Sequence, residues 1–221
     1  MMYLKKNIIQ LTSSIKTLRP KSCQVMVASK YGSAEQLRAI YHAGLNLFGE
    51  NRIQDAIPKI TLLSDLHITW HFIGHLQRNK VKLALQHFDC IQSVDSIRLL
   101  EKIDTEARLS NQIMPVFLQV NLANEAQKFG FDQTHLTQEI NRFQTYSYCS
   151  ITGLMVMLPF IDDTQQLSIF CKEGYDLFVS LKSYFPGLIH LSMGMSHDYI
   201  IALRHGSTMV RIGRTIFNQK E

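Results

Sequence analysis

The sequence predicts an α/β fold, a single (β/α)₈ (TIM) barrel domain over residues 1–221 with an additional helix at its N-terminus. Short apolar runs alternate with longer amphipathic stretches, and there are eight such runs. The runs are rich in Val, Ile, Leu, Met and Phe, as strands buried on both faces are. A doubly wound open sheet produces a similar pattern and stays as the alternative.

The first predicted element is a helix from about Tyr3 to Leu18, which ends before Pro20. The eight predicted strands follow it along the chain: Gln24 to Ser29, Leu45 to Glu50, Ile68 to Gly74, Cys90 to Val94, Val116 to Asn121, Ile151 to Met157, Ile189 to Gly194 and Met209 to Gly213.

Helical patterns lie between the predicted strands. Ser33 begins one helix with Gln36 three residues later, a capping-box pair, and Gly44 ends it. Pro58 is expected to shorten or kink the helix after the second strand. Three further helices are predicted: Ser96 to Arg108, Thr134 to Phe143 and Asp163 to Phe185.

The composition excludes several classes of protein. With 221 residues, 46% hydrophobic and 19% charged, the chain can bury a sizeable core and is not a disordered tail. No apolar run approaches the roughly 20 residues of a membrane span, and we see no secretory signal, so we expect a soluble, cytoplasmic protein. The net charge of +5 is spread along the chain without long basic runs, and we expect no nucleic-acid partner.

Metal and disulfide chemistry are also not expected. The four cysteines are widely spaced without a CxxC pair, which argues against a disulfide framework and a zinc ribbon. His71 and His75 are four residues apart and face one side of a strand, but the sequence offers no evident third metal ligand.

Chemistry in such a barrel gathers at the carboxyl ends of the strands. Lys30 directly follows the first strand, where a desolvated amine can attack an aldehyde to form a Schiff base, although it could also be the first solvated loop residue. Asn51 follows the second strand and can offer its amide to a bound ring, or cap the next helix.

Hydroxyls, glycines and arginines gather around the last two strands, in the segments Leu191 to Ser196 and Gly206 to Arg214. Barrels often hold phosphate at this place, with backbone N–H groups, a serine hydroxyl and an arginine. A ligand with an aldehyde at one side and a phosphate at the other fits both features. Pyridoxal 5′-phosphate (PLP) is one such ligand, and a sugar phosphate bound by a Schiff-base aldolase fits nearly as well.

Several motifs resemble, in order, those of the pyridoxal phosphate homeostasis protein family. The resemblance extends from about Ser22 to Asn218 and rests on six segments: Val27 to Lys30, Phe48 to Asn51, Trp70 to Gln77, Ser93 to Ser96, Leu191 to Ser196 and Gly206 to Gly213.

The resemblance implies a barrel like the N-terminal domain of alanine racemase. It also implies that Lys30 forms the internal aldimine with PLP and that Asn51 lies beside the pyridine ring. Arg211 then faces the ring nitrogen, where an arginine disfavours a protonated pyridinium and weakens the cofactor as an electron sink.

For the phosphate, the resemblance implies contacts from Ser192 and from the backbone near Gly194, Gly213 and Arg214. The sequence departs from the family at position 214, where many relatives have threonine and Arg214 adds a charge. It also has Gly32 where many relatives have a second lysine.

Members of this family are thought to store and deliver PLP, without established turnover. We therefore expect a monomeric PLP carrier with no catalytic residue, with PLP-dependent apoenzymes as acceptors. Alanine racemase needs a tyrosine from its second domain as a further acid/base, and this chain ends at Glu221. A weak PLP-dependent amino-acid racemase and a Schiff-base aldolase are the alternatives.

Overall fold

The structure is a computed structural model that describes residues 1–18, 23–123, 125 and 129–219. These residues contain eight parallel strands in one closed barrel, in which each strand pairs with the next along the chain. The barrel closes where β8 (Met209–Ile212) pairs with β1 (Gln24–Ala28), with Gln24 opposite Met209. The predicted (β/α)₈ barrel is confirmed, and the open sheet is excluded.

The other six strands overlap their predicted ranges. They are β2 (Leu47–Glu50), β3 (Thr69–Phe72), β4 (Cys90–Val94), β5 (Met114–Asn121), β6 (Cys149–Met157) and β7 (His190–Met195). Side chains on one face of the strands pack against the helices in the main core, and side chains on the other face fill the barrel. This burial on both faces explains why the strands lack a polar–apolar alternation.

Ten α-helices lie within the described ranges. They are α1 (Met2–Leu18), α2 (Ala34–His42), α3 (Ile53–Leu62), α4 (Val81–His87), α5 (Ile97–Leu109), α6 (Gln133–Gln138), α7 (Ile140–Phe143), α8 (Thr164–Leu181), α9 (Tyr199–Arg204) and α10 (Arg214–Phe217). Short 3₁₀ turns cover Ser29–Tyr31 and Arg78–Lys80. None of the helices in these ranges is long and apolar enough to cross a membrane.

Side-chain caps begin four of the described helices: α2, α5, α6 and α8. Ser33 and Gln36 form the predicted capping box of α2, with the Ser33 N–H donating to Gln36 Oε1 at 3.0 Å. Pro58 is predicted to shorten or kink α3: shortening is wrong, because the helix continues through Pro58 to Leu62, and the kink stays a prediction. The single helix predicted over 134–143 is divided into α6 and α7 at Glu139.

The additional helix α1 packs on α2, α9 and α10. Its buried residues follow a helical spacing: Leu4, Asn7, Ile8, Leu11 and Ile15. The Asn7 side-chain amide donates to the carbonyl oxygens of Ile216 at 2.9 Å and Asn218 at 3.0 Å. α1 therefore holds the C-terminal end of α10, the helix that begins at the carboxyl end of β8.

Candidate functional site

A cavity of about 370 Å³ opens at the carboxyl ends of the strands. Its walls come from the ends of six neighbouring strands, in the barrel order β6, β7, β8, β1, β2 and β3. Five of the seven predicted site residues line it: Lys30, Asn51, Arg211, Gly213 and Arg214. Ser192 and Gly194 do not line it.

Lys30 lies in the 3₁₀ turn directly after β1, and its side chain is exposed at the cavity. Its Nζ is 5.0 Å from the centroid of the Tyr31 ring. Tyr31 in turn packs on Gly213, where a Cβ atom would lie only 2.6 Å from Tyr31 Cε2. Glycine at 213 therefore allows the turn that carries Lys30 to approach the end of β8.

Asn51 follows β2 and is half-buried at the cavity wall. The loop after β3 packs against its backbone at Gly74, where a Cβ atom would lie 2.1 Å from the Asn51 carbonyl oxygen. Since only a residue without a Cβ fits at Gly74, this glycine allows the close contact that supports Asn51.

Arg211 lines the cavity although the residue is only 5% exposed. Its Nη1 donates to the Ser192 carbonyl oxygen at 2.7 Å and to Ser192 Oγ at 2.9 Å, and its Nη2 donates to the Val156 carbonyl oxygen at 3.0 Å. Burial lowers the pKa of Arg211 to about 10, and the charge of Asp198 opposes this shift. Arg211 is therefore a fixed cation at neutral pH.

Ser192 lies in the middle of β7, and its side chain is buried in the barrel interior. Its Oγ donates to Gln92 Oε1 at 2.8 Å, and Gln92 Nε2 lies 2.7 Å from His71 Nδ1. A buried polar chain thus connects Arg211, Ser192, Gln92 and His71. Ser192 contacts Arg211 instead of the cavity.

Gly194 has a φ of +98°, a conformation that favours glycine. A Cβ atom there would lie 2.7 Å from the Cβ of Ala202 in α9. Gly194 therefore allows α9 to pack closely on β7, and its predicted backbone contact with a phosphate stays a prediction.

Ser196, which the sequence analysis did not select, lines the cavity directly after β7. Its Oγ accepts hydrogen bonds from the N–H groups of Gly213 and Thr215, both at 3.3 Å. The Ser196 hydroxyl, which can still donate its own proton, and the Arg214 guanidinium give this end of the cavity donors suited to an anion.

The histidines considered for metal binding have other partners. Burial, assisted by the charge of His190, lowers the pKa of His71 to about 3, so its ring is neutral. His75 Nδ1 pairs with Asp95 Oδ2 at 2.8 Å and stacks on Phe129. Across the described ranges, no group of three or more His, Cys, Asp or Glu side chains could hold a metal ion.

The cavity residues together fit a ligand with a carbonyl group, a flat ring and an anionic group. Lys30 supplies a primary amine, and the end near Ser196 supplies donors for the anion. An apolar wall suited to a ring comes from the end of β6: Met155, Met157, Leu158, Pro159 and Phe160. PLP combines these three chemical features.

Comparison with known proteins agrees with this geometry. The sequence model of the family described as "Alanine racemase, N-terminal domain" matches residues 4–220. The pyridoxal phosphate homeostasis protein of Aquifex aeolicus (strain VF5) is 34% identical over 205 residues, covering 92% of this chain and 90% of the relative. That of Escherichia coli (strain K12) is 31% identical over 206 residues, covering 91% and 88%.

The chain belongs to the pyridoxal phosphate homeostasis protein family. The solved structure of PipY from Synechococcus elongatus PCC7942 with PLP bound is 34% identical, with a TM-score of 0.90 over 97% of this chain and 100% of PipY. An alanine racemase from Clostridium difficile 630 is 14% identical, with a TM-score of 0.82 over 100% of this chain and 57% of the racemase chain. At that identity, the racemase shows the fold alone.

The resemblance to the pyridoxal phosphate homeostasis protein family is thus confirmed, as is the barrel that it implied. The position of Ser196 could have been selected from the sequence, because it lies two residues beyond the predicted end of the seventh strand at Gly194, while Ser192 lies inside that strand. No comparable signal identifies Gln92 or His71, since their contact depends on strand register across the barrel.

Proposed function

We propose that this protein binds PLP and takes part in intracellular PLP homeostasis, storing and delivering the cofactor without catalytic turnover of its own. The observation that carries the proposal is the cavity in which Lys30 shares one wall with Asn51, Arg211 and the end of β8. The names of the relatives and the PLP bound by PipY support it.

In this proposal the Lys30 amine holds the PLP aldehyde as a lysine aldimine. Asn51 lies beside the ring and Arg211 faces the ring nitrogen. Ser196 and the backbone of Gly213 and Arg214 hold the phosphate. Ser192 acts by holding Arg211, and Gly194 acts by allowing α9 to pack.

When bound, PLP supplies an aldehyde for Schiff-base chemistry and a ring that can serve as an electron sink. Arg211 is a cation at neutral pH and donates hydrogen bonds, so it disfavours a protonated ring nitrogen beside it. Lys30 is exposed at the mouth of the cavity, where water has access to it. Both features favour holding and exchanging PLP over controlled proton transfer.

The proposal extends to the whole chain. Residues 1–221 act as one PLP-binding domain, since the family model covers 4–220 and α1 packs on α10. We further propose a monomeric, cytoplasmic protein, with PLP-dependent apoenzymes as acceptors.

The test is an absorbance spectrum of the purified protein before and after borohydride, followed by peptide mass mapping. We expect a visible band that borohydride removes and a reduced adduct at Lys30. Lys30→Ala abolishes both, while Lys102→Ala, which changes a surface lysine of α5, leaves both unchanged.

A colourless protein that takes up no added PLP contradicts the proposal and favours the Schiff-base aldolase alternative. Interconversion of amino-acid enantiomers at ordinary enzyme rates contradicts the carrier role and supports the racemase alternative.

A further inference from the structure

An ion pair lies behind the cavity wall, at the turn that carries Lys30. Lys59 Nζ on α3 contacts Glu50 Oε1 at the end of β2 at 2.8 Å, and the side chains are 17% and 0% exposed. Gly49 lines the cavity and Glu50 does not, as expected for neighbouring strand residues that face opposite sides. The pair therefore lies between the barrel and α3.

Both members of the pair also bind Ser29, the residue directly before Lys30. Lys59 Nζ donates to the Ser29 carbonyl oxygen at 2.9 Å, and Ser29 Oγ donates to Glu50 Oε1 at 2.8 Å. Ser29 is itself fully buried, and its carbonyl also accepts the N–H of Gly32 at 3.0 Å. The backbone on the N-terminal side of Lys30 is thus held from two neighbouring elements.

Stability alone does not explain this arrangement. A buried ion pair loses the hydration of both charges, and an apolar pair of similar volume is often as stable. In the described part of the chain, Glu50 Oε2 is buried without a hydrogen-bond partner, which adds to that cost. The 3₁₀ turn has no side-chain cap of its own at Ala28. Lys59 and Glu50 add side-chain contacts to this turn beyond those that Ser29 makes with Gly49 and Gly32.

We propose that Glu50 and Lys59 are positioning residues for Lys30, which fix the turn so that its amine meets the carbonyl carbon of the ligand. The inference rests on the proposed PLP function and assigns neither residue a contact with PLP. Small displacements of a reacting group reduce rates strongly, so loss of the pair slows reaction of the amine. It leaves the phosphate end, at β7 and β8, unchanged.

The main test is the double variant Glu50→Leu/Lys59→Met. Both charges are removed together, so no unpaired charge remains. Ser29 also keeps hydrogen bonds, because its Oγ still has the Gly49 carbonyl oxygen at 3.0 Å and its carbonyl still accepts the N–H of Gly32. Cofactor-free protein is mixed with increasing PLP, and the appearance of the visible band is followed over time. We expect a saturating rate constant at least about tenfold lower, with an unchanged half-saturating PLP concentration.

The matched control is Lys102→Met/Glu106→Leu, which removes a lysine–glutamate pair from the surface of α5 and keeps the wild-type rate. Thermal melting of each variant reports folding separately. If the double variant does not fold, Ser29→Ala decides, because it keeps both charges of the pair and removes the hydroxyl that contacts Glu50 and the Gly49 carbonyl oxygen. We expect it to slow the reaction in the same direction.

A folded double variant with the wild-type saturating rate overturns the positioning role. An unchanged saturating rate constant with a higher half-saturating PLP concentration also overturns it, since the pair then affects the initial binding of PLP. A wild-type protein that forms no band overturns the proposed function and this inference with it. A band that forms in the wild type and is lost in Lys30→Ala supports the proposed function, and the saturating rate of the double variant then decides the inference.

Discussion

At the scale of single residues, two serines of one strand region have different surroundings. Ser192 is buried in contact with Arg211 and Gln92, and Ser196 lines the cavity beside the N–H groups of Gly213 and Thr215. A motif contains both residues and does not distinguish them. Their positions relative to the end of β7 do, because mid-strand side chains fill a barrel and the following residues form its sites.

This difference predicts opposite effects of the two alanine variants. Ser196→Ala removes a hydroxyl from the anion end and weakens PLP binding by about 1–2 kcal/mol, with little change in the free energy of unfolding. Ser192→Ala leaves Gln92 Oε1 without a donor and lowers the free energy of unfolding by about 1–3 kcal/mol. PLP titration and urea unfolding of both variants measure the two quantities. If instead Ser192→Ala weakens PLP binding and Ser196→Ala does not, Ser192 is the residue that binds the phosphate.

Arg214 is exposed at the cavity, so its charge acts on an anion through solvent. We expect Arg214→Thr to release PLP a few times faster at low salt, and the difference from wild type to shrink at about 1 M salt because of screening. Arg204→Thr, at the exposed end of α9, serves as the control. Release rates that differ equally at both salt concentrations would rule out a charge effect.

At the scale of elements, helix boundaries followed from local chemistry where one residue decides them. The capping box at Ser33 is such a case. Pro58 shows the limit, because α3 continues through it although proline removes one helical hydrogen bond. Tertiary packing of α3 outweighs that local cost, and packing is not visible in a single sequence.

The contact between α1 and α10 connects the N-terminal helix with the anion end of the cavity. Asn7→Ala removes two hydrogen bonds to the carbonyls of Ile216 and Asn218. We expect the free energy of unfolding to fall by about 1–3 kcal/mol and PLP binding to weaken, because α10 begins at Arg214 in the cavity. Urea unfolding and PLP titration test this, with Lys6→Ala on the exposed face of α1 as control. If the Asn7 variant is destabilised but binds PLP with wild-type affinity, the contact between α1 and α10 does not influence PLP binding.

At the scale of the whole molecule, the alternation of strands and helices was sufficient to predict eight β/α units. It could not distinguish a closed barrel from an open sheet, since closure depends on the pairing of Gln24 with Met209, far apart in sequence. The same limit applies to the interior chain of Arg211, Ser192, Gln92 and His71. Its members come from four strands, and only the register of the closed barrel brings them together.

We expect His71, a member of this interior chain, to make the free energy of unfolding depend on pH. His71 is 8% exposed, and its pKa is about 3 in the folded protein, against the ordinary histidine value of 6.5 in an unfolded chain. Between these values the unfolded chain binds a proton that the folded protein does not. Above pH 6.5, His71 therefore has no effect on the free energy of unfolding. As the pH falls from 6.5 toward 3, titration of His71 lowers that free energy by about 1.4 kcal/mol per pH unit.

His71→Gln removes this titration and keeps an oxygen that can accept the hydrogen bond from Gln92. We expect its free energy of unfolding to fall less steeply than that of wild type between about pH 6.5 and 4.5. Burial also lowers the pKa of His190, so that residue retains part of the slope. Urea unfolding across this range measures the slopes, with His67→Gln at an exposed position as control. Parallel slopes for wild type and His71→Gln would mean that His71 is protonated inside the folded barrel, and that the interior chain tolerates a second cation beside Arg211.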